Sequence, residues 1–232
     1  MASTLVHVAF AGLLAAALLG PYFDRRAVLV VFAVTAFPDL DSFVALVSVA
    51  GHRTVFHTFL IPIGLGALLA VDTRLRSRSF VRERWGAWGV HVGWVSVVAL
   101  AVAGIGLDFV GAGVNPLWPL HDQFYVLDGK IELSDQRGVI QTFIDLTPEA
   151  ASNGGGSGGG GSGGGGGSIP APESLGSSQE VNMTTGIEPD PTNTKKNPER
   201  IFPVVRSGWQ LLLLVVGFAV TGARLRLSGR QD

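Results

Sequence analysis

Residues 86–107 read GAWGVHVGWVSVVALAVAGIGL, an unbroken run without a single Asp, Glu, Lys or Arg. As an α-helix the run rises ~33 Å at about 1.5 Å per residue, enough to cross a hydrocarbon core about 30 Å thick. A backbone in lipid must satisfy its own polar groups, so a run of this kind commits the chain to helical spans. Composition agrees: 47% of the 232 residues are hydrophobic and only 15% are charged. Soluble domains carry about 25% charged residues, so this chain lacks the charge to coat a globule.

Four further apolar segments accompany this one. The first runs from Leu5 to Gly20 and stops at Pro21. The second runs from Ala27 to Phe37 and stops at Pro38. The third runs from Val55 to Val71 with Pro62 inside it as an expected kink. The last is Trp209 to Ala223, opened by a tryptophan suited to the membrane interface. The fold class expected is therefore all-α, a polytopic transmembrane helical bundle of about five spans. Leu13–Leu19 imitates the apolar region of a secretory signal, but no basic residue precedes it and Arg25 and Arg26 follow closely, the reverse of that pattern.

Arginines orient the spans. Arg25 and Arg26 follow the first, Arg74, Arg76, Arg78, Arg82 and Arg84 follow the third, and Arg224, Arg226 and Arg230 follow the last. Five spans bring all three groups to one side, expected to be the cytoplasm of a cell-membrane protein. The N-terminus is then outside and the C-terminus inside. Net charge is −1, which argues neither for nor against an acidic partner; the bilayer is the partner expected, and no nucleic acid is.

The chain divides into four parts on this reading. Residues 1–110 form a four-span membrane domain, 111–147 an extracytoplasmic turn and β-hairpin, 148–203 a flexible linker, and 204–232 a C-terminal span with a basic tail. The hairpin is expected from Phe124–Leu127 and Lys130–Leu133 on either side of Asp128-Gly129, a dipeptide suited to a type I′ turn. Gly154–Ser168 is twelve glycines and three serines, a coil with nothing to pack. Ile169–Arg200, rich in Pro, Asn, Thr and Glu, is expected to be disordered as well.

Against this oily background, Pro38-Asp39-Leu40-Asp41-Ser42 and His52-Arg53-Thr54-Val55-Phe56-His57 stand out. Ionisable groups at membrane depth cost on the order of 2.5–3.5 kcal/mol each on insertion scales. The second segment is too short to span alone: eleven residues rise only ~16 Å. Either its Asp-rich turn lies deep in the membrane, or a broken helix continues through residues 42–50. The span directions bring His7, Asp39, Asp41, His52, His57 and Asp108 to one side and leave His91 near the other. No cysteine is present, so a metal here is held by nitrogen and oxygen. His7, Asp39, Asp41, His57 and Asp108 more than suffice for a hydrolytic zinc, which needs about three protein ligands and an open position. His52 and His57, five apart, do not share a helix face; one is expected on a loop and the other on the first turn of the third segment. Each group also has a plain reading: Pro-Asp-x-Asp as turn chemistry, His52-Arg53 as an interfacial pair, Asp108 as a cap or a partner of Arg53.

At these residues the chain resembles the membrane-bound metal-dependent hydrolases, also described as LexA-binding, inner-membrane-associated hydrolases. The resemblance rests on Thr4-x-x-His7, Pro38-Asp39-Leu40-Asp41-Ser42, His52-Arg53-x-x-x-His57-Thr58, Leu107-Asp108 with Gly113-Val114, and Leu117-Trp118-Pro119-Leu120, in that order over residues 1–140. It implies a divalent metal, zinc foremost with manganese and magnesium as alternatives, and hydrolase activity. Arg53 would then neutralise an anionic group such as a phosphate ester, and His52 or a carboxylate would handle the proton. A lipid or lipid-linked phosphate is the substrate class expected from the location. The family places a histidine four residues before the aspartate matched by Asp108; here that position is Gly104. His121 or His52 is the candidate substitute. A metal or proton transporter and a catalytically inactive membrane scaffold are the rival readings.

Overall fold

The structure, a computed structural model, describes residues 3–44, 53–127, 131–134, 136, 138–141, 173–178, 181, 187, 189 and 197–229. His52, the Asp128-Gly129 turn and the whole Gly154–Ser168 tract lie outside the described residues.

Helix α1 (Thr4–Leu18) starts at Ser3, whose side chain accepts the Val6 N–H. Helix α2 (Arg25–Ala36) starts at Asp24, which accepts from the Ala27 N–H and, through its other oxygen, from the Trp88 indole. Both starts follow the usual preference for a small polar acceptor at the helix N-cap. The second segment does not end at Pro38: a 3₁₀ turn (Phe37–Leu40) and a short helix α3 (Asp41–Val44) carry it on, so Arg25–Val44 is long and apolar enough to cross a membrane. The tight turn is where proline is tolerated, because its missing N–H falls at a helix start. Thus the broken-helix alternative is the one observed, through Val44.

The third segment differs from expectation. Residues 53–59 are turn and bend, and helix α4 (Leu60–Ala70) begins only afterwards, ending in a π-helical turn (Val71–Leu75). Pro62 therefore sits in the first helical turn, where no N–H would be bonded anyway, and makes a start rather than a kink. His57 is accordingly a loop residue. Asp72 closes the following turn by accepting from the Ser79 hydroxyl (2.7 Å) and from the Phe80 and Val81 N–H groups.

The long apolar run is helix α5 (Phe80–Ala99), a π-helical turn (Leu100–Gly106) and helix α6 (Leu107–Gly111) in continuous succession. Gly86 interrupts it with φ 65°, a left-handed conformation open to glycine. Helix α7 (Gly208–Ser228) is the third element long and apolar enough to cross a membrane; α1 is apolar but shorter.

Small residues hold the bundle together. Ala11 and Ala15 of α1 with Leu19 just after it, Val28 and Val31 of α2, and Val92, Val95 and Ala99 of α5 form its core. A Cβ on Gly217 of α7 would meet the Ala9 carbonyl oxygen of α1, and one on Gly12 would meet Thr221 Oγ1. Close backbone approach over small residues is how helices associate where lipid removes the hydrophobic incentive. Large apolar side chains point outward instead: Leu29 is 65% exposed, Leu68 69% and Leu212 65%, as lipid-facing positions should be.

Beyond α6 the chain forms small antiparallel pairs. Strand β1 (Phe124–Val126) and strand β2 (Ile131–Ser134) fall where the sequence places them, but they do not pair with each other. Strand β2 pairs with β3 (Gly138–Gln141), and β1 with β4 (Glu173–Gly176). Tyr125 also exchanges both backbone hydrogen bonds with Val114 (3.0 and 2.9 Å). With Val114 on one side and β4 on the other, β1 has no edge left for β2. Local turn preference thus loses to a distant strand, and that strand belongs to a stretch expected to be disordered.

Candidate metal centre

Five of the residues singled out in the sequence converge at one end of the bundle. His7 stands on the second turn of α1, Asp39 on the 3₁₀ turn after α2, Asp41 at the start of α3, His57 on the loop before α4, and Asp108 at the start of α6. The ligand atoms of His7, Asp39 and Asp108 lie within 4.8 Å of one another. His57 Nε2 is 3.7 Å from both Asp39 Oδ1 and Asp108 Oδ2, and His7 Nε2 is 3.6 Å from Asp108 Oδ2.

The tautomers follow from the other ring nitrogens. His7 Nδ1–H donates to the Ala103 carbonyl at 2.5 Å, because a carbonyl can only accept. His57 Nδ1–H donates to Asp41 Oδ2 at 2.9 Å, while Asp41 Oδ1 accepts the Phe56 N–H at 2.8 Å. In its neutral form each imidazole would turn the lone pair of Nε2 toward carboxylate oxygen. Lone pairs facing anions repel unless a proton or a cation lies between them. Two ligands of one tetrahedral zinc sit roughly 3.4 Å apart when each bond is about 2.0–2.2 Å, close to the separations found.

A further observation fits a cation: among the described residues, His7 Nε2 and Asp39 Oδ2 are buried side-chain atoms without a hydrogen-bond partner, a rare and costly condition. The guanidinium of Arg53 lies near Asp39 and Asp108, with its Nη2 2.8 Å from Asp108 Oδ2, and Arg206 is within electrostatic reach of it. Asp39 is the member that opens outward, at 20% side-chain exposure against 1% or less for His7, Asp41, His57 and Asp108.

The loop bearing Arg53 and His57 is held from two sides. Phe56 packs on Phe37 at 4.7 Å between ring centroids. The segment after α6 clasps it from above: the Asn115 N–H donates to the Arg53 carbonyl (3.1 Å), and Pro116 O accepts from the Phe59 N–H (2.8 Å) and the Thr58 hydroxyl (3.0 Å). Arg53 itself has φ 70°, an unusual conformation for a residue with a side chain and one often found at functional sites.

The other singled-out residues stand around this cluster. Asp41 spends both oxygens on His57 and the Phe56 backbone, so its place is behind the imidazole and not beside it in the cluster. Arg53 lies 1% exposed against Asp108, one of the plain readings of that aspartate. His121 stays apart, exposed, with Nε2 2.8 Å from the Tyr125 hydroxyl. His91 bonds to the Leu18 carbonyl and packs at a tilt on Tyr22, near the turn between α1 and the arginine-bearing start of α2. Sequence patterns gave no hint of Ala103 as the acceptor for His7, since a backbone carbonyl carries no residue signature. Its place in a π-helical turn does fit a functional site, where such turns concentrate. Buried Thr54, with an unbonded hydroxyl beside Arg53, was equally silent.

No curated protein and no solved structure matches the chain. A family model does, that of the YdjM inner membrane protein, over residues 1–153. That stretch holds every residue of the cluster and stops short of β4 and α7, and on it the chain belongs to the YdjM inner membrane protein family.

Proposed function

We propose that this membrane protein is a hydrolase using one divalent cation, zinc or a zinc-like ion, held by His7, Asp39, His57 and Asp108. The observation that carries the reading is the pair of buried, unbonded atoms His7 Nε2 and Asp39 Oδ2, aimed into a cluster of like donors. When bound, such a cation polarises a phosphoryl or carbonyl oxygen and supplies an activated water near neutral pH. Asp41 fixes the tautomer and the plane of His57, the usual task of a carboxylate behind a metal-binding imidazole. Arg53 offers a planar, permanent charge to an anionic substrate group such as a phosphate ester. His52 is the candidate for proton transfer.

The proposed topology has five spans, α1, α2–α3, α4, α5–α6 and α7, with the cluster and the β-strands outside and the arginines in the cytoplasm. Substrates that reach such a site from the bilayer are lipids or lipid-linked phosphates. A second reading, a metal-binding scaffold without turnover, draws on Gly104, which takes the place of the family histidine.

Metal analysis of the purified protein tests the first reading, alongside Asp39→Ala and His57→Ala. One zinc or manganese per chain, lost in both variants, and hydrolysis of a simple phosphate ester are expected. Absence of stoichiometric metal from the wild type would sink it; metal without turnover on any ester would select the scaffold. Because the chain has no cysteine, Leu120→Cys and Arg226→Cys report topology cleanly. The first should react with an impermeant maleimide on intact cells and the second only after lysis.

A further inference from the structure

At the end of the bundle away from the cluster, a cavity of about 450 Å³ opens between the start of α2 and the end of α7. It is lined by Phe23, Asp24, Arg25, Arg26, Leu225 and Ser228, with Gly229 at its edge. Neutral partners hold the neighbouring charged groups in place: Asp24 accepts from the Ala27 N–H and the Trp88 indole, and Arg224 donates to the Gly20 carbonyl (3.1 Å) and covers the Phe23 ring (4.5 Å), so the lining carries two guanidiniums against one carboxylate. Arg25 and Arg26 are exposed and have no ion-pair partner among the described residues. Their helix positions add the positive end of the α2 dipole. One turn further along α2, on the same face, Leu29 is 65% exposed and Val30 40%.

We propose that this cavity binds the phosphate of an anionic phospholipid, with the acyl chains lying along Leu29 and Val30 of α2. Two guanidiniums suit a phosphate diester, for which Arg is the residue with matching donor geometry. Phe23 and Leu225 give the glycerol region an apolar wall, and the apolar turn beyond the arginines distinguishes a lipid from free phosphate. Basic pockets between spans at a membrane surface are suited to such headgroups.

Native mass spectrometry of the full chain, titrated with phosphatidylglycerol, phosphatidylcholine or inorganic phosphate, tests the proposal. Expected is one retained phosphatidylglycerol, weakened roughly 10- to 30-fold in Arg25→Gln/Arg26→Gln, at about 1 kcal/mol per arginine near the surface. Ser228→Trp, which fills the cavity and keeps every charge, should lose the lipid too. Arg78→Gln/Arg82→Gln, which removes two charges of the same basic set outside the cavity, should keep it. Equal retention of phosphatidylcholine, undiminished lipid in Ser228→Trp, or phosphate binding without lipid would each overturn the proposal.

Discussion

The Nδ1–H of His57 donates to Asp41 Oδ2 at 2.9 Å, and both residues are fully buried. A carboxylate so placed sets which nitrogen of the imidazole faces the cluster. Asp41→Asn keeps the shape and removes the charge, and its amide can present a donor where the ring already donates. Metal affinity should fall about 10- to 100-fold, with the helical signal unchanged, whereas His57→Ala should lose the ion outright. Competition titration with a zinc indicator separates the two outcomes; equal affinity in Asp41→Asn and the wild type would remove Asp41 from the site.

Arg53 and Asp108 form a buried ion pair beside His7 and His57. Arg53→Met leaves Asp108 at 1% exposure without its 2.8 Å partner. Removing one member of a buried pair costs about 3–5 kcal/mol, so the metal-free protein should melt well below the wild type in detergent. A divalent cation restores part of the missing charge, so zinc or manganese should raise the variant's melting temperature more than the wild type's. Equal shifts in the two proteins would separate Arg53 from the metal site.

The convergence of these side chains was legible in part from helix direction. Alternating apolar runs suggest which residues share an end of a bundle, and that rule collected His7, Asp39, Asp41, His57 and Asp108 without any knowledge of packing. What it could not supply is the layer of arrangement below topology. That Asp41 stands behind His57, or that Arg53 turns onto Asp108, depends on a loop conformation with a left-handed Arg53. Strand pairing failed for the same reason. Asp128-Gly129 is a local signal, while the β1–β4 pair joins residues about fifty apart through a contact that leaves no periodic mark.

The α1–α7 interface rests on glycine. A Cβ at position 217 would overlap the Ala9 backbone oxygen, and helix backbones cannot yield as a side chain can. Gly217→Leu should therefore destabilise the protein by about 1–3 kcal/mol or more, read as a lowered melting temperature. A disulfide between cysteines placed at Ser3 and Val204, whose groups hydrogen bond across the same interface, should also form less readily. Gly222→Ala is the control, since nothing lies within 4 Å of a Cβ there. Equal melting of both variants would mean that α7 contributes little to the bundle.

Asp122 ties β4 down. Its Oδ2 accepts from the Ser178 hydroxyl (2.7 Å), and its Oδ1 from the Ser178 N–H (3.1 Å) and the Asn115 side chain (2.6 Å). Desolvation would raise its pKa, but these donors outweigh it and hold the carboxyl below the ordinary 3.8. A depressed folded-state pKa contributes stability above the unfolded value, and that contribution is lost as pH falls through the folded one. Protection factors at residues 173–178, taken against the intrinsic exchange rate at each pH, should thus be high at pH 6 and fall below about pH 4, and Asp122→Ala should be weakly protected throughout. A wild type equally protected at pH 3 would contradict the assignment.

Gly104 occupies the position where the resembled hydrolases carry histidine, and its surroundings decide whether one can be restored. A Cβ there would meet the Thr35 backbone oxygen at 3.0 Å, with Leu100 and Pro38 close behind. The π-helical turn through Leu100–Gly106 also breaks the i,i+4 relation that would otherwise stack residue 104 beneath Asp108. Gly104→His should therefore push α5 away from the Pro38 turn, costing about 1–3 kcal/mol as overpacking does, and moving Asp39 with it. Metal affinity should fall or hold, not rise. Tighter zinc binding in Gly104→His, measured against the wild type by the same competition titration, would show that the cluster lacks a ligand and that this glycine is where it was lost.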